Sequence, residues 1–132
     1  TFKAIDNTGV DIYHTNVMMC IAKTFAVVCL ESVTVHEDKA KLIGSLIKTN
    51  KEIVDISLQQ LNHYAGNMLQ VINEEGELML IMSTQAYQSL TNAQIEILQK
   101  HNRIIHSSLN TIETVGGGSA RCMMAEVFLL KK

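Results

Sequence analysis

A repeat with a period near 51 residues constrains this chain more than any other feature. Asn16 opens the apolar run Val17-Met18-Met19-Cys20-Ile21-Ala22, and the polar break Lys23-Thr24 separates it from Phe25-Ala26-Val27-Val28-Cys29-Leu30. The pattern returns 51 residues on, where Asn67 opens Met68-Leu69-Gln70-Val71-Ile72. There Asn73-Glu74-Glu75-Gly76-Glu77 forms the break and Leu78-Met79-Leu80-Ile81-Met82 the second run. Short apolar runs split by turn residues read as paired strands.

Helices are expected after both pairs. Thr34 and Glu37 have capping-box spacing, and Leu42, Ile43, Leu46 and Ile47 form one stripe. Thr91 and Gln94 repeat the signal ahead of Ile97 and Leu98, with a short helical turn expected at 83–90. Asn50 and Asn102 are expected to end the helices in left-handed caps. A short strand follows each, at 52–56 and 103–106. The unit is strand, strand, helix, strand, and a fixed period signals a repeat architecture. Another step of the period reaches Gly118, so Ser119–Ala125 is expected to open the first strand of a third unit. Two units and a piece would leave a ring open. The remaining units are therefore expected in sequence before Thr1, in line with a processed or cut polypeptide.

Composition narrows the function classes. The 132 residues are 47% hydrophobic and 18% charged, with a net charge of -2, and Lys and Arg are scattered. This fits one domain or part of a larger one, with no nucleic-acid surface expected. No apolar run approaches the roughly 18 residues that a membrane helix needs. Three cysteines do not make a disulfide framework, and their spacing is not that of a zinc site. Reduced thiols in a cytoplasmic protein are the expectation.

Two residues stand out as chemistry candidates. Cys122 follows the triple glycine Gly116-Gly117-Gly118, and the neighbouring Arg121 offers a positive charge that favours a thiolate. Read alone, Cys122 is first of all a buried structural cysteine at a strand start, because most cysteines are inert core residues. The glycines lack the Lys-Ser/Thr of a phosphate-binding loop. His14, in Tyr13-His14-Thr15-Asn16, precedes the first strand of the first unit. Equivalent strand starts converge on the axis of a ring, which would bring this base and this thiol together. His63 is the reserve candidate, entering the second unit near the axis. His36, His101 and His106 are weaker, and Cys20 and Cys29 are expected in the core.

These segments resemble a known family. Gly116-Gly117-Gly118-Ser119-Ala120-Arg121-Cys122-Met123 resembles the nucleophile motif of arginine deiminases, amidinotransferases and dimethylarginine hydrolases. Tyr13-His14-Thr15-Asn16-Val17-Met18 resembles their histidine motif, and Leu61-Asn62-His63-Tyr64-Ala65-Gly66-Asn67-Met68-Leu69 also looks familial. The nearest branch by resemblance includes citrulline hydrolases. The resemblance implies an α/β fold, a five-bladed propeller (pentein) of ββαβ modules, of which residues 1–132 supply about two and a part, as the C-terminal half of a catalytic domain. It implies Cys122 as nucleophile and His14 as general acid/base. It also implies a cysteine-dependent hydrolase that cleaves a C–N bond of a guanidino or ureido substrate and releases ammonia. No cofactor, metal, membrane or nucleic acid enters that expectation. The partner would be the N-terminal half, another polypeptide, or another copy of the chain. Asn16 departs from an acidic residue frequent at that position, and the family's acidic catalytic partner would lie upstream. The alternatives are an amidinotransferase and a non-catalytic propeller binding protein.

Overall fold

The computed structural model describes residues 1–125. A helical turn α1 (Thr15–Met18) leads into β1 (Met19–Ile21), followed by β2 (Phe25–Val28), α2 (His36–Lys48) and β3 (Glu52–Asp55). β2 is buried at all four positions, so a continuous apolar run makes a central strand. It pairs antiparallel with β1, Met19 opposite Val28, and parallel with β3, Phe25 opposite Glu52. Parallel neighbours need a crossover, and α2 supplies it.

The second unit repeats this topology. After α3 (Leu58–Asn62), strands β4 (Leu69–Ile72) and β5 (Leu78–Ser83) pair antiparallel, Leu69 opposite Ile81. Helices α4 (Thr84–Ser89) and α5 (Asn92–His101) then return the chain to β6 (Arg103–Ser107), parallel to β5. Two three-stranded sheets of identical order result. One apolar cluster joins them, with Met18, Phe25 and Val27 from the first unit and Met68, Leu80 and Leu98 from the second. The expected helical turn at 83–90 is α4, capped by Ser83.

Several local expectations change. Val17 and Met18 belong to α1, so the first strand starts later than its apolar run. Thr34 does not cap α2: the chain stays extended through Val35, which takes the N-cap position with no side-chain hydrogen bond. Thr91 does form a reciprocal capping box with Gln94, and Ser57 forms another with Gln60 at the start of α3. Asn50 takes the left-handed conformation after α2, at φ 55°. Asn102 stays extended at φ -160°, because its side-chain amide donates to the Leu98 carbonyl at 2.7 Å and satisfies the helix end itself. The stretch 119–125, expected to open a strand, instead holds a 3-10 turn, Ala120–Met123, that follows α6 (Asn110–Val115).

The two units meet through close backbone approach. A Cβ on Gly66 would lie 2.4 Å from the Val17 carbonyl oxygen and 2.8 Å from the Met18 carbonyl carbon. Main-chain atoms cannot step aside as a flexible side chain can. Gly44, in α2, has open space at the same position. Gly66→Ala is expected to destabilise the protein by about 1–3 kcal/mol or more. Gly44→Ala is expected to stabilise it by roughly 0.5–1 kcal/mol through helix propensity. Chemical denaturation of the two variants checks the opposite signs.

Candidate active site

The site is assembled around Asn67, the residue that opens the second apolar repeat. The chain reaches it through Tyr64, whose φ of 63° is unusual for a residue with a side chain. That conformation closes a tight turn in which the Asn67 N–H donates to the Tyr64 carbonyl at 2.8 Å. The Tyr64 hydroxyl in turn donates to the Glu113 carbonyl at 2.8 Å, tying the turn to α6. Burial, followed by the charges of Glu113 and Cys122, pushes the Tyr64 phenol up, so it remains a donor. Asn67 is 3% exposed and its amide is fully used. Nδ2 donates to the Asn16 carbonyl at 3.0 Å and to the Cys122 sulfur at 3.2 Å, while Oδ1 accepts from the Arg121 N–H at 3.0 Å. One side chain thus joins the openings of the first and second strand pairs to the cysteine segment.

Cys122 is exposed, against the buried position that the residue type alone suggests, while Cys20 and Cys29 lie in the core as expected. The glycine loop explains its placement. Gly117 takes φ +66°, and a Cβ on Gly118 would lie 3.1 and 3.2 Å from the Cys122 Cβ and Sγ. A side chain there would crowd the sulfur. The loop is braced from below: the Ser119 hydroxyl donates to Glu113 Oε1 at 2.6 Å, and the Cys122 N–H donates to the Ser119 carbonyl at 3.0 Å. Glu113 is buried, and its Oε2 and the Arg121 Nε are without hydrogen-bond partners among the described residues. The Arg121 charge acts on Cys20, where it opposes burial.

His14 is the exposed N-cap residue of α1, with its ring 6.4 Å from that of Tyr13. It borders a cavity of about 370 Å³ together with Phe2, Ile12 and Met18. His14 and Cys122 share no hydrogen bond among the described residues; their segments are linked through Asn16 and Asn67. His63, the reserve candidate, lies elsewhere. It closes α3, with Nδ1 2.8 Å from the Gln59 carbonyl, and borders a separate cleft of about 680 Å³ with Ser57, Gln60, Gln85 and Gln88. His101 joins the units structurally, 2.8 Å from both Glu52 and Thr24 and stacked on Phe25. His106 stacks on Tyr87. His36 occupies the first position of α2. The described residues hold no group of three or more His, Cys, Asp or Glu arranged for a metal, and no helix among them is long and apolar enough to cross a membrane.

Sequence reasoning missed Asn67, Tyr64, Glu113 and Ser119 as parts of the site. Tyr64, Asn67 and Ser119 lie in segments that resemble the family's, and the 51-residue step between Asn16 and Asn67, which marks the repeat, here also marks a direct hydrogen bond.

The three thiols differ in a measurable way. Burial pushes the Cys20 thiol up to about 11 and raises that of Cys29. The folded value of Cys20 lies above its ordinary 9.0, so folding favours the protonated thiol; that contribution is complete below pH 9 and is lost as pH climbs through 11. At pH 8 a small alkylating reagent is expected to modify Cys122 first, by roughly 100-fold or more over Cys20, because a buried thiol that keeps its proton offers little thiolate. Peptide mapping of a time course reads this out; modification of Cys20 or Cys29 first would contradict the placement.

Comparisons with known proteins bear on the fold and on the family. Among solved structures, the fold is similar to that of ArgZ, apo structure, described as an arginine dihydrolase from the ornithine-ammonia cycle in cyanobacteria. The TM-score is 0.66 at 14% identity, covering 91% of this chain and 17% of that one. The chain therefore spans about a sixth of that protein's length. A search of curated proteins found no match. A family model described as N,N dimethylarginine dimethylhydrolase, eukaryotic, matches residues 1–129. With nearly the whole sequence matched, the chain belongs to the dimethylarginine dimethylhydrolase family, within the pentein superfamily of guanidino-modifying enzymes.

Proposed function

We propose that this chain carries the nucleophile and the general acid/base of a cysteine-dependent hydrolase that cleaves a C–N bond of a guanidino or ureido compound. The observation that carries the reading is the Asn67 amide, which holds the sulfur of the exposed Cys122 and the carbonyl of Asn16, two residues after His14. Family membership supports the substrate class, since the family is described by hydrolysis of a methylated arginine.

In this reading the Cys122 thiolate attacks the central carbon of the substrate's planar head group. A C–S bond forms, and the displaced π electrons collect on a nitrogen of a guanidino group or on the oxygen of a ureido group. His14, as imidazolium, gives a proton to the departing nitrogen, and the C–N bond breaks. The leaving group is ammonia from an unsubstituted nitrogen and a methylated amine from a methylated one. Neutral His14 then takes a proton from water, hydroxide adds to the same carbon, and the C–S bond breaks to return the thiolate. Arginine would yield citrulline and ammonia; citrulline would yield ammonia and a carbamic acid on the ornithine nitrogen, whose remaining C–N bond breaks as it loses carbon dioxide to leave ornithine. Histidine serves both half-reactions because its proton affinity lies near neutrality. Contacts to the substrate's tail and the acidic catalytic partner would come from further units of the propeller, supplied by an N-terminal half, another polypeptide or a second copy. A working thiolate fits a reducing compartment, and we place the protein in the cytoplasm.

Cys122→Ser in the full protein is expected to lower kcat by about 10⁴-fold or more while leaving the fold intact, since serine has no equally effective base here. His14→Ala is expected to lower it by roughly 10²–10⁴-fold, with slow formation of the first adduct. Release of ammonia or amine from arginine, citrulline and methylated arginines is the assay. Near-normal turnover by Cys122→Ser would show the cysteine to be structural.

A further inference from the structure

We propose that Asn67 is itself a catalytic residue, whose side-chain N–H stabilises the Cys122 thiolate as it forms before attack and as it returns when the C–S bond breaks. The inference rests on the reading of Cys122 as nucleophile and adds a second group that touches the reacting sulfur.

The orientation of the amide is dictated by its neighbours. The Arg121 main-chain N–H is a donor only, so the Asn67 atom 3.0 Å from it must be the oxygen. The Asn16 carbonyl is an acceptor only, so the atom 3.0 Å from it must be the nitrogen. A flipped amide would set oxygen against oxygen and donor against donor. The second hydrogen of Nδ2 therefore faces Cys122 Sγ at 3.2 Å, and at 3% exposure the side chain has no room to turn away.

A neutral thiol is a weak acceptor and a thiolate a strong one, so such a donor favours the charged form. The donor is placed before any substrate arrives, held by two other hydrogen bonds. Nothing is transferred from Asn67: its proton stays on Nδ2 while the sulfur's charge forms, is consumed in the C–S bond and is restored.

The test is alkylation of Cys122 by iodoacetamide in the full protein carrying Asn67→Asp or Asn67→Ala, followed by mass spectrometry at pH 7 and pH 10. Asp keeps the acceptor for Arg121 and puts a negative charge where the donor was; Ala removes all three bonds. At pH 7 the rate is expected to fall by about three-fold or more, the intrinsic gain in nucleophilicity offsetting only part of the lost thiolate. At pH 10 the variants are expected to react no more slowly than the unaltered protein. A purely structural role predicts the other sign, because a loosened loop exposes the sulfur, and rates at pH 7 equal to or above the unaltered protein would overturn the proposal. Should neither variant fold, the Asn67 side-chain amide proton in the unaltered protein gives a second readout by NMR. Its resonance is expected to shift as Cys122 is ionised and to lose that shift in Cys122→Ala; a resonance blind to Cys122 ionisation would overturn the proposal. Turnover by Cys122→Ser tests the nucleophile reading separately, since these rates and shifts are read without turnover.

Discussion

The arrangement described here depends on one buried amide. Asn67 uses its two hydrogens and its oxygen on two other segments: the Asn16 carbonyl in one, and the Cys122 sulfur and the Arg121 N–H in the other. Each bond is worth about 1 kcal/mol net, while each buried partner left unsatisfied costs about 1–3 kcal/mol. Removing the amide therefore loosens the unit boundary and the cysteine loop together. Gly66, immediately before it, permits the approach that makes the Asn16 contact reachable, since its Cα hydrogen is all that fits against the Val17 carbonyl. Fold and site are coupled at this point in the chain: the contact that registers one unit on the next also aims the sulfur.

The rest of the boundary between units is polar and specific. Gln60 and Gln94 each first complete their own helix's capping box and then bond one another; Gln94 also donates to the Asp55 carbonyl at the end of β3 at 2.7 Å. His101 adds Glu52 and Thr24 at the other end of β3. These bonds surround the shared apolar cluster, so burial supplies the drive to associate and the amides set the register. Apolar side chains nevertheless remain on the surface, among them Ile21, Ile72 and Val115, at 57, 65 and 83% exposure.

Much of the fold is legible in the sequence because the strands are apolar runs of strand length with turn residues between them. Their pairing follows from topology: a short break gives an antiparallel neighbour, and a helix-length connection gives a parallel one. Local ends are less legible. Thr34 and Thr91 carry the same capping spacing, yet only Thr91 caps its helix, because the chain ahead of α2 stays extended one residue longer. Asn50 and Asn102 carry the same helix-end signal, yet Asn102 uses its side chain where Asn50 uses its backbone. At the site, Cys122 and His14 are visible as chemically apt residues in suggestive motifs. Asn67 lies in a familial-looking segment, but its role is hidden, since an asparagine at a strand start reads as a turn residue until the contact across units is known. Glu113 is hidden for a similar reason: nothing in the sequence of α6 marks its carboxylate as buried, and only the contacts show the Ser119 hydroxyl donating to that carboxylate and the Tyr64 hydroxyl to the Glu113 main-chain carbonyl.

The most direct test of the central claim is to trap the covalent intermediate. Full protein carrying His14→Ala, which slows release of the adduct, is mixed with isotope-labelled arginine, citrulline or a methylated arginine. It is then quenched in acid during turnover and mapped by mass spectrometry. The account predicts a substrate-derived mass on the peptide containing Cys122, absent in the double variant that also carries Cys122→Ser. Continued turnover with no adduct on Cys122, or with the label on another residue, would contradict it.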